Sequence, residues 1–165
     1  MTLLNAPAYD ERKEKLKKFS LIGGAVLIVV LVLTTLAGYA LGHGWFFSNL
    51  PAEHKVSNFF AALQVKDYNK AFAIYNNDPD WQQHPDQYKD YPEARFQDDW
   101  ATQDPIDGPL LGYHVDISKT DGDSKSGGII VAVTADTVKG KKRIFMYYLR
   151  SSGKLTWPAF HELQY

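Results

Sequence analysis

Leu21 to Leu41 reads LIGGAVLIVVLVLTTLAGYAL, 21 residues without one charged side chain. An α-helix of that length extends about 32 Å at 1.5 Å per residue, enough to cross a hydrocarbon core. Only Thr34, Thr35 and Tyr39 interrupt its apolar surface, so it lacks the polar face that a helix of a globular domain turns to water. It therefore reads as a transmembrane helix over 21–42, with the lipid bilayer as the first partner. Arg12, Lys13, Lys15, Lys17 and Lys18 precede the run, whereas Trp45, Phe46 and Phe47 follow it. Basic residues mark the cytoplasmic side of a span and aromatic rings favour its interfaces. The expectation is a cytoplasmic basic tail (1–20), an interfacial linker (43–51) and an extracytoplasmic domain (52–165), single-pass in a cell (inner) membrane. A cleaved signal peptide is the competing reading, since Gly38-Tyr39-Ala40 supplies small residues in a usable pattern. The apolar run exceeds the roughly 7–15 residues of a signal-peptide core, which favours retention. Gly38 and Gly42 form a GxxxG pair, a candidate for helix packing in the membrane.

The full chain of 165 residues leaves room for one compact domain beside such an anchor. A net charge of −1 offers no basic footprint, so nucleic acid is not an expected partner. The absence of cysteine excludes disulfides, thiolate nucleophiles and cysteine metal sites. Leu50-Pro51 reads as a break after the membrane. Val56, Phe59, Phe60 and Leu63 then recur at the i, i+3, i+4, i+7 spacing of a one-faced helix over 52–64. Asp67 can cap a second helix carrying Tyr68, Phe72 and Tyr75, and Pro92 can begin a third in which Phe96 meets Trp100 at i, i+4. From Leu111 the period changes to two, with Tyr113, Val115 and Ile117 opposing His114, Asp116 and Ser118. Further strands are expected over 129–138, 144–150 and 155–163, the last at an edge or bulge because of Pro158. Helices first and an antiparallel meander after define the fold class as α+β.

Two end signatures carry a family resemblance. The run VSNFFAALQVKDYNKAFAIY at 56–75, an apolar helix, a Lys-Asp-Tyr break and a second helix, resembles the opening of small nuclear transport factor 2-like domains. YYLRSSGKLTW at 147–157 resembles their ending, a long strand turning through Ser-Gly-Lys into the last one. The resemblance covers 52–165 and implies a cone: helices packed in a curved antiparallel sheet of at least four strands, with a pocket at the open end. That superfamily includes isomerases, dehydratases, binding modules and structural subunits, so the fold leaves the activity open. A basic tail, one span and one outer domain of this type also resemble the periplasmic scaffold subunit of type IV secretion systems.

NNDPDWQQHPDQYKDYP, at 76–92, joins the second helix to the third. Its Asp-Pro, His-Pro and Tyr-Pro steps force extended or turning backbone, which Trp81, Tyr88 and Tyr91 can anchor by burying their rings. The sharper alternative makes Asp78, Asp80, His84 and Asp86 a metal or acid–base cluster. Neither the alternating ligands and turn glycine of a calcium loop nor the convergent histidines of a zinc site are present. Catalysis would need a base beside a tyrosine inside the cone, and His114, Asp116, His161, Tyr113, Tyr147 and Tyr148 match no catalytic motif. No catalytic residue, metal or cofactor is assigned. Trp81, His84, Tyr113, His114 and Tyr148 are the candidate pocket or partner contacts. Lys139, Lys141, Lys142 and Arg143 form a basic hairpin that either protects a sheet edge or meets an acidic surface. The leading functional expectation is an extracytoplasmic binding or assembly module, an accessory subunit beside another membrane protein. A membrane-tethered small-ligand binder, isomerase or dehydratase is the alternative.

Overall fold

A computed structural model describes residues 10–41, 46–103, 105–121, 127–159 and 162–163. The chain divides into two compact units, Met1–Ala37 and Gly38–Tyr165. Helix α1 spans Glu11–Ala40, takes in all of the apolar run but Leu41, and has no buried residue. Asp10 caps it by accepting from the amides of Arg12 (3.1 Å) and Lys13 (3.2 Å). Thr34 and Thr35 return their hydroxyls to the carbonyls of Val30 and Leu31 at 2.9 and 2.7 Å. Their polar atoms are thereby satisfied within the helix, as lipid would require. This helix is long and apolar enough to cross a membrane, either as an anchor or as a signal sequence. Gly42 and Trp45 lie outside the described residues.

The second unit is an α+β domain. Helix α2 runs Phe46–Gln64, so Pro51 does not break the chain but sits inside the helix. As the sixth residue it lacks the amide that would bond back to residue 47, so the first part of the helix forgoes one intrahelical bond. Val56, Phe59, Phe60 and Leu63 are all buried, which is the stripe that their spacing predicts. Helix α3 (Tyr68–Asn76) opens with Asp67 accepting from the Lys70 amide at 3.0 Å. It closes on Asn77, which is left-handed (φ 54°), with the Asp78 amide donating to the Ala73 carbonyl at 2.9 Å. Two 3-10 turns, Trp81–Gln83 and Pro85–Tyr88, lead to helix α4 (Glu93–Thr102), for which Pro92 is the cap rather than the first residue.

Strands β1 (Leu110–Asp121), β2 (Gly128–Thr137), β3 (Gly140–Leu149) and β4 (Leu155–Thr156) form an antiparallel meander in sequence order. Ile129, Val131, Val133, Ala135, Ile144 and Met146 face the helices and share one core with Phe59, Phe60, Phe72, Phe96 and Trp100. Its rings meet edge to face, with Phe59 and Trp100 centroids 4.8 Å apart. Ile130, Ala132 and Tyr147 project to the other face, under Leu163 and Ala159.

Two strand expectations need correction. A register shift between Val115 and Ile117 places Asp116 in a bulge, and a one-residue slip exchanges the faces of a strand. Tyr113 and Val115 therefore pack on the helical core, Ile117 on the opposite face, and Ser118 returns to the helical side. The last strand covers only Leu155–Thr156, because Pro158 has no amide with which to continue the ladder. Beyond it the Ala159 amide bonds the Phe145 carbonyl (3.1 Å), and Leu163 covers the outer face of the sheet.

Candidate functional site

The connector 77–92 is built around one carboxylate. Asp78 Oδ2 accepts from the Tyr88 hydroxyl and meets His84 Nε2, each at 2.5 Å, while its Oδ1 accepts from the Asp80 amide at 3.1 Å. The Tyr88 hydroxyl holds the Asp78 carboxyl below its ordinary value, against the opposing effect of desolvation and with the His84 ring adding to it. Desolvation and the Asp78 charge together push the Tyr88 phenol up to about 12. Behind these polar groups, Phe72 takes the edges of Trp81 and Tyr88 with centroids 4.8 and 5.3 Å apart. The segment is thus tied to α3 by rings and to itself by Asp78. Asp86 takes no part in the cluster and pairs with exposed Lys89 at 2.8 Å. Among the described residues, no group of three or more His, Asp or Glu side chains is placed to hold a metal ion.

The five candidate contacts do not converge. Trp81 and His84 belong to the connector, half-buried, whereas Tyr113 packs on Phe60 at 5.7 Å and its hydroxyl meets that of Ser57 at 3.2 Å. His114 is exposed, and Tyr148 is half-buried against the core. His161 lies outside the described residues. The basic hairpin is met by acids of its own unit: Asp107 pairs with Lys139 at 2.5 Å and with Lys142 at 3.7 Å, and Asp136 with Lys141 at 3.6 Å.

A different set of residues lines a cavity of about 570 Å³: Tyr75, Tyr91, Asp99, Trp100, Gln103 and Trp157. Tyr75 comes from the last turn of α3, Asp99 and Trp100 from α4, Tyr91 and Gln103 from the two sides of α4, and Trp157 from the end of β4. The Tyr91 hydroxyl donates to Asp99 Oδ2 at 2.9 Å. Burial, then the Asp99 carboxylate, raises the Tyr91 phenol well above its ordinary range. Burial also raises the Tyr75 phenol, opposed by the backbone of Trp157. Helical spacing identifies Tyr75 and Trp100 as core residues, and Tyr91 as an anchor. Asp99 gives a signal only in retrospect, as the acid next to a buried tryptophan. Trp157 reaches the cavity because the strand ends one residue before it.

Comparison with protein-family models, curated proteins and solved structures finds no match to this chain.

Proposed function

We propose that the chain is a single-pass membrane protein, with its N-terminus in the cytoplasm. On this reading its outer unit, built on the plan of a nuclear transport factor 2-like domain, binds a small ligand in the cavity of Tyr75, Tyr91, Asp99, Trp100, Gln103 and Trp157. The observation that carries the reading is that cavity. Its volume of about 570 Å³ lies within the span of small-ligand pockets, about 300–1,000 Å³. Four aromatic residues line it together with Asp99 and Gln103, polar groups able to orient a ligand. Binding is favoured over catalysis because a general acid–base group works best with a pKa near the operating pH, and both lining phenols are shifted upward, away from it.

Thermal melts of the full chain in non-ionic micelles test the proposal against small organic cations, anions, zwitterions and neutral molecules. A true ligand at 100 times its Kd stabilises the native state by about 2.7 kcal/mol. The same ligand leaves Gln103→Trp unshifted, because exposed Gln103 can accept the large ring at the cavity's lip. Failure of every class, together with reproducible co-purification of another membrane protein, would replace ligand binding by an assembly role.

A further inference from the structure

We infer that the cavity selects a small organic cation carrying an alkylated ammonium group, an inference that rests on the ligand-binding reading above. Four of its six lining residues are tyrosine or tryptophan, and Asp99 is the charged member of the set. A cation gains from both. Aromatic faces carry negative quadrupole charge, which makes rings grouped around a site a general solution for quaternary ammonium recognition. Tyr75 and Trp100 meet at 63° with centroids 6.3 Å apart, and Trp100 and Trp157 at 68° and 6.1 Å, so the three rings pack edge to face into one aromatic cluster at the cavity. An anion would have to enter beside Asp99, without an Arg or Lys among the lining residues to pair with it. Arg95 lies 5.7 Å from the Tyr91 ring centroid, but is not part of the cavity wall.

Alkylation follows from the balance of the lining. A primary ammonium brings three N–H donors that each need an acceptor once desolvated. Here four of the six lining residues offer rings, and Asp99 already accepts from the Tyr91 hydroxyl at Oδ2, 2.9 Å away. An alkylated ammonium asks for apolar contact and one opposite charge, and the lining supplies both.

The same headgroup chemistry exists free in solution and on phosphocholine lipids, and the test separates the two. Choline is titrated into the full chain in non-ionic micelles and followed by tryptophan fluorescence, with Trp100 and Trp157 as reporters in the wall. Saturable quenching is expected. Its neutral carbon isostere, 3,3-dimethylbutan-1-ol, should bind at least tenfold more weakly. Asp99→Asn, which still offers Tyr91 an acceptor, should weaken choline at least tenfold, whereas Asp86→Asn, an exposed acid outside the cavity, should leave it unchanged. Repeating the titration in nanodiscs of phosphatidylglycerol and of phosphatidylcholine assigns the source. Equal affinities identify the free cation as ligand, and loss of choline binding in phosphatidylcholine identifies the lipid headgroup. Equal binding of choline and the isostere, or choline binding unaffected by Asp99→Asn, overturns the inference. So does silence of choline while another ligand class raises the melting temperature, in which case the cavity remains a binding site for something else. Silence of every class removes the ligand-binding reading itself.

Discussion

At the scale of single residues, Asp78 explains why a polar, proline-broken stretch folds at all. Three donors converge on one carboxylate, two of them at 2.5 Å, so the turns between α3 and α4 close on charge as well as on the rings of Trp81 and Tyr88. The spacing that suggests a metal cluster, Asp78 with His84, reflects this internal pairing, and the tyrosine four residues after His84 completes it. Nothing in a pattern of residue types distinguishes an acid that serves a ligand from one that serves its own loop. His84, a candidate contact by sequence, is bonded to Asp78. Asp78 has a folded-state pKa below its ordinary 3.8, so the fold favours the ionised form. That stabilisation is complete above the ordinary value and is lost as the pH falls through the lowered one. Tyr88→Phe should therefore lower the melting temperature at pH 7, and more so than His84→Ala, with both differences shrinking below about pH 4. Thermal melts from pH 7 to 3 check this, and differences independent of pH would show that the Asp78 bonds do not stabilise the segment.

At the scale of elements, periodicity makes the helices legible because each has one side against the core. Phe59, Phe60, Phe72, Phe96 and Trp100 fall where a period of 3.6 places them, and all are buried. The sheet is less legible, since a bulge at Asp116 reverses the alternation of β1 without any change in residue type that announces it. The polar seam it creates is equally hidden. Ser118 donates to Glu53 Oε1 at 2.5 Å and accepts from Asn49 Nδ2 at 3.1 Å, joining β1 to α2 across more than 60 residues of chain. The cavity was hidden too, because it lies where α3, α4 and the end of β4 meet. Two substitutions test the packing. Trp100 is 3% exposed and touches Phe59, Phe96 and Trp157, so Trp100→Ala should cost about 3–5 kcal/mol and lower the melting temperature by more than about 10 °C. Half-buried Trp81, whose ring leans on Phe72, should cost less when truncated. Gly128 offers a sharper test, because a Cβ there would stand 2.4 Å from the Tyr147 ring and 2.6 Å from the Tyr148 carbonyl oxygen. Gly128→Ala should destabilise the domain, and should still do so, though by less, when compared with Tyr147→Ala alone, because only the clash with the ring is then removed. A cost that vanishes on the Tyr147→Ala background would mean that the backbone of β3 moves aside.

At the scale of the whole molecule, the basic residues and the apolar helix favour the orientation that the proposal requires. Five cations lie in the ten residues before Leu21, whereas Lys55 is the first lysine or arginine after the span. Lysine and arginine close to a span resist translocation, which is why the proposal puts the end with five inside. The acids Asp10, Glu11 and Glu14 do not offset this, since orientation follows the positive residues rather than net charge. A retained anchor and a cleaved leader share these features and differ in one covalent bond. The apolar run is longer than a leader's core, and α1 continues unbroken through Gly38 and Tyr39 to Ala40, which holds the small residues in helix rather than in the extended form a peptidase reads. The intact mass is therefore expected to include the apolar run. Protease added to spheroplasts should digest the second unit and leave a protected fragment of the N-terminal tail and span. A mature N-terminus at Leu41 would make the outer unit a released protein, whereas protection of that unit would place its cavity in the cytoplasm and remove any extracytoplasmic ligand from consideration.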